Sequence, residues 1–264
     1  MYDMHNHTAY SDDSNASMTS MVEAGIQQGL KGMAITDHYD PDYPTPEFQF
    51  TPEFPAYHKE MEQIKETYKD KIEILLGLEI GIQHGETMEK CRKAAKDYSY
   101  DFILGSFHCA HGKDLYVDYF NDWSIEEAYH GFYQYMLECL EEYEDYDVLG
   151  HFNIVDRYTP RIPPYGPYME EIEAILRLLV DRGKGLEINT SSFRYNLGDL
   201  TTPSLTILSL YKDLGGEIIT IGSDAHAPRH VGYKLDWAEE FAKSSGFKYY
   251  AYYKNRTPIF EKLK

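Results

Sequence analysis

Ile72-Glu73-Ile74-Leu75-Leu76-Gly77-Leu78-Glu79-Ile80 is a run of aliphatic residues with a carboxylate near its end. Apolar residues on successive positions read as a strand buried on both faces, the kind found in parallel sheets. Comparable runs lie at Lys31–Thr36, Phe102–Phe107, Asp147–Leu149, Gly185–Ile188 and Glu217–Ile221, with a short one at Tyr2–His7. Seven strands are therefore expected. Between them, Ile125, Ala128, Tyr129, Phe132, Tyr133, Met136 and Leu140 recur at three- and four-residue intervals, the stripe of a helix packed on one face. Ile172, Ile175, Leu176 and Leu179 repeat it, and Val22, Ile26 and Leu30 do so in a shorter segment. Alternating strands and helices predict βα units around a parallel sheet. Two long loops, Pro41 to Pro55 and Phe152 to Pro167, are expected to be lids or substrate-binding segments.

The composition of the 264 residues fits one domain spanning 1–264: 42% are hydrophobic and 26% charged, the proportions of a globular chain. No apolar run approaches the length of a membrane span, and the opening MYDMHNH lacks the regions of a signal peptide, so a soluble, cytoplasmic protein is expected. Cys91, Cys109 and Cys139 show no metal or redox spacing and read as buried apolar side chains in a reducing compartment. A net charge of −19 argues against a nucleic-acid surface, which needs clustered Lys and Arg. Positive charge for an anionic substrate must then come from the site itself.

The expected strands end on metal-ligand residue types. His5 and His7 belong to the first, His38 follows the second, Glu79 lies near the end of the third and His108 follows the fourth. His151 follows the fifth, and Asp224 and His226 follow the seventh. In a parallel barrel all strand C-termini open on one face, so these residues converge there. Residues i and i+2 of an extended chain point to one side, so His5 and His7 can hold one ion, and Asp224 and His226 repeat the spacing. Imidazole with carboxylate suits Zn, Mn or Fe. A lone histidine is usually structural, but a series at successive strand ends is not readily explained that way. His58 and His130 lie in helix-like segments and are expected at the surface, whereas His84, His111 and His230 lie in loops beyond ligand positions, within reach of substrate.

The ordered motifs resemble the polymerase-and-histidinol-phosphatase (PHP) superfamily. They are His5-Asn6-His7-Thr8 with Ser11 and Asp13, then Thr36-Asp37-His38, Gly77-Leu78-Glu79, Ser106-Phe107-His108, Gly150-His151 and Gly222-Ser223-Asp224-Ala225-His226. The resemblance implies a distorted (β/α)7 TIM-like barrel with two or three divalent ions (Zn, Mn or Fe) at the C-terminal face of the strands. It places His5, His7, Glu79 and Asp224 on one ion, with Glu79 bridging to a second held by His108 and His151. Asp13, His38 and His226 take the third, with Asp12 the alternative to Asp13. Within the superfamily, Ser11-Asp12-Asp13-Ser14 together with Arg157 and Arg194 resemble the histidinol-phosphate phosphatase branch. That implies hydrolysis of L-histidinol phosphate, a small phosphorylated metabolite.

The ions' charge would outweigh that of Asp13, Glu79 and Asp224 and draw in a phosphomonoester dianion. Arg157 and Arg194 are expected to grip the phosphate, since a guanidinium donates two parallel hydrogen bonds, with Arg229 a third candidate. Glu79, Asp224, Arg157 and Arg194 are the expected catalytic set. A coordinated water, Asp37 or a loop histidine is expected to protonate the leaving alcohol. Asp42, Tyr43, Glu47 and Phe48 of the Pro41 to Pro55 loop are candidates to receive the ammonium and imidazole of an amino alcohol. Alternatives are a phosphodiesterase of the same superfamily and a metal-binding regulatory protein without turnover.

Overall fold

Strands buried on both faces must be joined by crossovers, and the observed order of elements supplies them. The structure, a computed structural model, describes residues 1–195, 197 and 202–264. Its strands are β1 (Tyr2–Asp3), β2 (Gly32–Ile35), β3 (His38–Tyr39), β4 (Glu73–Gly81), β5 (Phe102–Ser106), β6 (Cys109–Ala110), β7 (Lys113–Asp114), β8 (Val148–Leu149), β9 (Gly185–Asn189), β10 (Ile219–Gly222), β11 (Tyr249–Lys254) and β12 (Thr257–Lys262). Its α-helices are α1 (Met18–Gln27), α2 (Phe54–Tyr68), α3 (Glu86–Asp97), α4 (Ile125–Glu142), α5 (Met169–Asp181), α6 (Leu205–Asp213) and α7 (Leu235–Ser244).

The main sheet runs β1-β2-β4-β5-β8-β9-β10, every pair parallel, with β3 pairing on the upper part of β4. It curls until its edges meet. Met4 donates its N–H to the Ile221 carbonyl at 2.9 Å, and Asn6 bridges Ala225 in parallel. This is the distorted (β/α)7 barrel. The stripe expected from Ile125 to Leu140 is the buried face of α4, whose start is fixed by a reciprocal cap between Ser124 and Glu127. Ile172, Ile175, Leu176 and Leu179 are the buried face of α5. In α1 the buried residues are Met18, Met21, Val22 and Gly25, and Leu30 falls beyond the helix.

The strand expected over Tyr2–His7 stops at Asp3. The cause is Asn6, whose side-chain amide donates to the carbonyls of Asp3 and Ala34 and so takes acceptors a continuing ladder would use. The β11–β12 hairpin did not show in the sequence pattern. It turns at Asn255 and Arg256, both at positive φ, and lies against the N-terminal ends of the strands. There the Arg256 Nε–H donates to Asp147 at 2.5 Å, and Tyr252 stacks on Tyr2 at 3.9 Å. The C-terminal ends stay open at the other face. No helix of the described residues is long and apolar enough to cross a membrane.

Candidate metal centre

At the open face the ends of the strands and the loops after most of them carry histidines and acids into one largely buried cluster. Glu79 stands at its middle. Its Oε2 lies 2.9 Å from His38 Nδ1, 3.2 Å from His5 Nε2 and 3.4 Å from His7 Nε2. Its Oε1 lies 2.9 Å from His151 Nε2 and 3.3 Å from His108 Nε2. Asp224 Oδ1 is 3.6 Å from His7 and 3.5 Å from His226, and Asp13 Oδ2 is 3.1 Å from His226 and 3.7 Å from His38. Asp12 turns away, accepting the Gln49 N–H at 2.9 Å. Although β1 ends early, His5 and His7 still face one side, their Nε2 atoms 2.9 Å apart.

Three devices set this backbone. The buried Asp3 carboxylate accepts from the Ser223 N–H at 2.9 Å, the Ser223 hydroxyl at 2.6 Å and the Gly232 N–H at 2.9 Å, tying the loop after β10 to β1. Asp224 itself sits at φ 54°, a left-handed conformation that Asp tolerates better than most residues. Asp37 accepts the Thr8 N–H at 2.6 Å and the hydroxyls of Thr8 and Ser11 at 2.7 Å each, locking the turn after His7. Asp37, one of the three expected sources of the leaving-group proton, thus accepts three hydrogen bonds and lies outside the cavity lining.

The imidazoles are also held from behind. His5 Nδ1 meets Glu187 at 2.7 Å, His108 Nδ1 meets Asp40 at 2.7 Å, and His7 Nδ1 meets the Ser11 hydroxyl at 3.0 Å. Since Ser11 donates its proton to Asp37, it accepts from His7 and leaves His7 Nε2 with its lone pair toward the cluster. A ring nitrogen fixed by an outer carboxylate while the other points inward is the arrangement that orients metal-ligating histidines. Asp40 and Glu187 lay hidden in the sequence. The available signals were the i+2 spacing of Asp40 from His38 and an acid inside the buried run Gly185–Ile188, the same oddity that marks Glu79. Gly81 makes room for Asp40: a Cβ there would lie 1.8 Å from its Oδ1.

Burial alone would neutralise such a cluster, but its members counteract it. Glu79 is held well below the usual carboxylate range, burial being overcome by His5, His38 and His108. Asp224 is lowered likewise, through His5, His226 and Arg157, and Asp13 through His38 and His226. In return Glu187, Glu79 and Asp224 raise His5 against the pull of burial, and Asp40 and Glu79 push His108 up to about 9. The site is built to hold positive charge. Among the described residues Glu79 Oε2, Asp40 Oδ2, His38 Nδ1 and His151 Nδ1 are buried and make no well-aligned hydrogen bond, although Glu79 Oε2 and His38 Nδ1 lie 2.9 Å apart; a bound cation can satisfy the atoms facing it. Four groups among the described residues have ligand atoms within 4.8 Å of one another: His7/His38/His226, His5/His7/Asp224, His5/Glu79/His151 and His38/Asp40/His108. A nitrogen and oxygen donor set of this kind fits Zn or a similar divalent ion.

A family model described as "PHP domain" matches residues 3–191. The chain belongs to the PHP domain family. It is 32% identical over 253 residues to the "Probable histidinol-phosphatase" of Clostridium acetobutylicum, covering 94% of this chain and 95% of that protein. With the histidinol-phosphatase of Lactococcus lactis it shares 31% identity over 255 residues, 93% of this chain and 91% of that one. The crystal structure of the Lactococcus histidinol phosphate phosphatase, complexed with Zn, L-histidinol and phosphate, superposes with a TM-score of 0.89 at 28% identity, covering 98% of both chains.

In this PHP domain a cavity of about 250 Å³ opens over the cluster. Arg157 lines it from the short 3-10 turn Ile154–Arg157 within the expected long loop. Its Nη2 donates to the Ser191 hydroxyl at 2.6 Å and approaches Asp224 at 3.4 Å, while Tyr195 stacks over the guanidinium at 4.0 Å. Arg194 instead reaches backbone: its Nη1 and Nη2 donate to the carbonyls of Ser223 and Asp224 at 2.9 and 2.6 Å. Arg229 is exposed and lines a different cavity with Gln28 and Trp237, because the 3-10 turn Pro228–His230 carries the chain outward past His226. Of the loop histidines, His84 pairs with Glu138 at 3.6 Å and His111 bonds the Gly131 carbonyl at 3.1 Å; neither they nor His230 line the site cavity. His58, expected at the surface, is half-buried and stacked on Tyr98 at 4.4 Å. From the Pro41 to Pro55 loop, Tyr43 and Phe50 line the cavity, whereas Asp42 pairs with Lys90.

Proposed function

We propose that this PHP domain is a metal-dependent phosphomonoesterase that converts L-histidinol phosphate to L-histidinol and inorganic phosphate. The observation that carries the reading is Glu79, buried at the centre of His5, His7, His38, His108 and His151, with both oxygens 2.9–3.4 Å from imidazole nitrogens. Likeness over nearly the whole chain to histidinol phosphatases, one of them crystallised with Zn, L-histidinol and phosphate, supports it. His5, His7, Glu79 and Asp224 would hold one ion, Glu79 with His108 and His151 a second, and Asp13, His38 and His226 a third. Such ions, when bound, neutralise phosphoryl oxygens and lower the pKa of a coordinated water to about 7.

The chain's own groups do the rest. Glu187, Asp40 and Ser11 fix the ring orientations of His5, His108 and His7. Arg157 remains cationic, its pKa raised by Tyr158 and Asp224 against burial, and its Nε is buried without a partner, so the guanidinium has donors to spare for a phosphoryl oxygen. Arg194, which is not among the residues lining the cavity, keeps the Ser223 and Asp224 carbonyls in place and so positions Asp224. Cys91, Cys109 and Cys139 are free and buried, in keeping with a reducing compartment, the cytoplasm. The reading is tested by assaying zinc-loaded protein on histidinol phosphate beside bis(p-nitrophenyl) phosphate. Faster cleavage of the diester would overturn it.

A further inference from the structure

The cavity lining holds one carboxylate that is not among the expected metal ligands. Asp114, at the end of β7, is buried and lines the cavity with Tyr43 and Phe50. Its Oδ1 accepts the N–H of Tyr116 at 2.8 Å and of Val117 at 3.3 Å, and its Oδ2 accepts the Thr45 hydroxyl at 2.5 Å. Tyr43 lines the cavity beside it, and the nearby carboxylate adds to burial in raising the pKa of the Tyr43 phenol. All of these partners are neutral, and among the described residues no Lys, Arg or His pairs with it. The neighbouring Lys113 is taken by Asp122. Its oxygens are hydrogen-bonded much as those of Asp37 are, but unlike Asp37 it lines the cavity, where no counter-charge stands beside it among the described residues and a cationic ligand would supply one.

The aromatic residues fix where that cation would lie. Phe50 packs against His38 at 4.9 Å on one side and meets Tyr43 edge-on at 5.0 Å on the other, with Phe48 stacked behind it at 5.4 Å. Asp114 pairs with Cys109, the neighbour of His108, across the β6–β7 ladder, so it shares one cavity with the expected ligands and with the faces of Tyr43 and Phe50. We infer that Asp114 is the specificity-determining residue of the site: with Tyr43 and Phe50 it receives the cationic end of a phosphomonoester whose alcohol carries an ammonium or imidazolium, while the phosphate lies at the histidines and Arg157. This rests on the phosphomonoesterase reading above and replaces Asp42 and Glu47, the acids expected for the task, with one from a different loop.

The test compares kcat/KM for three phosphomonoesters on zinc-loaded wild type and Asp114→Asn: histidinol phosphate, ethanolamine phosphate and p-nitrophenyl phosphate, the last without a cation. Loss of a charge-assisted contact should lower the ratio of either cationic ester to p-nitrophenyl phosphate on the order of 10- to 100-fold. Thr45→Val removes a donor to the same carboxylate but keeps its charge, and its ratio should stay within about fivefold of wild type, a bound set by the ~1 kcal/mol of a neutral hydrogen bond. Equal losses on all three substrates in Asp114→Asn, or an unchanged ratio, would overturn the inference, since a purely structural carboxylate affects every ester alike. Wild-type protein that cleaves p-nitrophenyl phosphate but not histidinol phosphate would instead overturn the proposed substrate, and the ethanolamine phosphate ratio would still decide the role of Asp114.

Discussion

Glu187→Gln changes one oxygen to an amide nitrogen and tests whether the metal centre depends on carboxylates behind its ligands. In the wild type, Oε1 accepts from His5 Nδ1 at 2.7 Å, while Oε2 accepts the His151 N–H at 2.9 Å and the Asn189 side-chain amide at 3.1 Å. Every partner donates. A glutamine has only one acceptor oxygen, so one of two conflicts follows. If the oxygen stays on His5, the new NH2 faces the donors of His151 and Asn189. If it stays on those donors, the NH2 faces His5 Nδ1, forces that nitrogen to accept and moves the proton to Nε2, where it blocks the lone pair a metal needs. Outer-sphere partners of this kind are worth about 10- to 100-fold in metal affinity, or about 1.4–2.8 kcal/mol. Competition of metal-stripped protein with a fluorescent zinc chelator should show that weakening in Glu187→Gln, with the fold intact by circular dichroism. Wild-type zinc affinity in the variant would refute the reasoning.

Two further outcomes follow from the same geometry. Arg157→Ala should keep its zinc content by elemental analysis yet lose on the order of 10- to 1000-fold in kcat/KM for histidinol phosphate, the range for removing a preorganised charged donor; a kinetically silent variant would remove Arg157 from the phosphate site. In metal-free protein, Asp40 and Glu79, working against burial, push His108 up to about 9 from 6.5, and His5 and His38 shift the same way. A raised folded pKa stabilises the protonated form, so this contribution is complete below about pH 6.5 and is lost as pH rises through about 9. Zinc must displace those protons, so its binding should strengthen over the same window. Thermal melts at pH 7.5 and 9.5 should therefore show metal-free protein losing Tm and the zinc-induced increase in Tm growing; a metal-free Tm that climbs would contradict the assignment.

Much of this architecture was legible because it rests on residue types that are costly to bury. Aliphatic runs such as Ile72–Ile80 have few places to go except a sheet covered on both sides, and the histidines and acids that end them are conspicuous for the same reason. Of the expected ligand residues, those from His5 to His226 lie together at one mouth. What stayed hidden depends on three-dimensional neighbours. The end of β1 is decided by which carbonyls the Asn6 amide reaches. Arg229 follows a ligand in sequence, but a single 3-10 turn is enough to send it outside. Asp40, Asp114 and Glu187 look like ordinary acids until burial and partners are known. The β11–β12 hairpin, with Tyr on successive positions and Pro258 in its second strand, lacks the alternation that marks a half-buried hairpin.

The most direct measurement is phosphate release from L-histidinol phosphate by one preparation, first stripped of metal by a chelator and then titrated with zinc. Turnover should be absent in the stripped protein, return as zinc is added and saturate at a fixed number of ions per chain. Full activity without metal, or a zinc-loaded protein that leaves histidinol phosphate intact, would contradict a catalytic centre organised around Glu79.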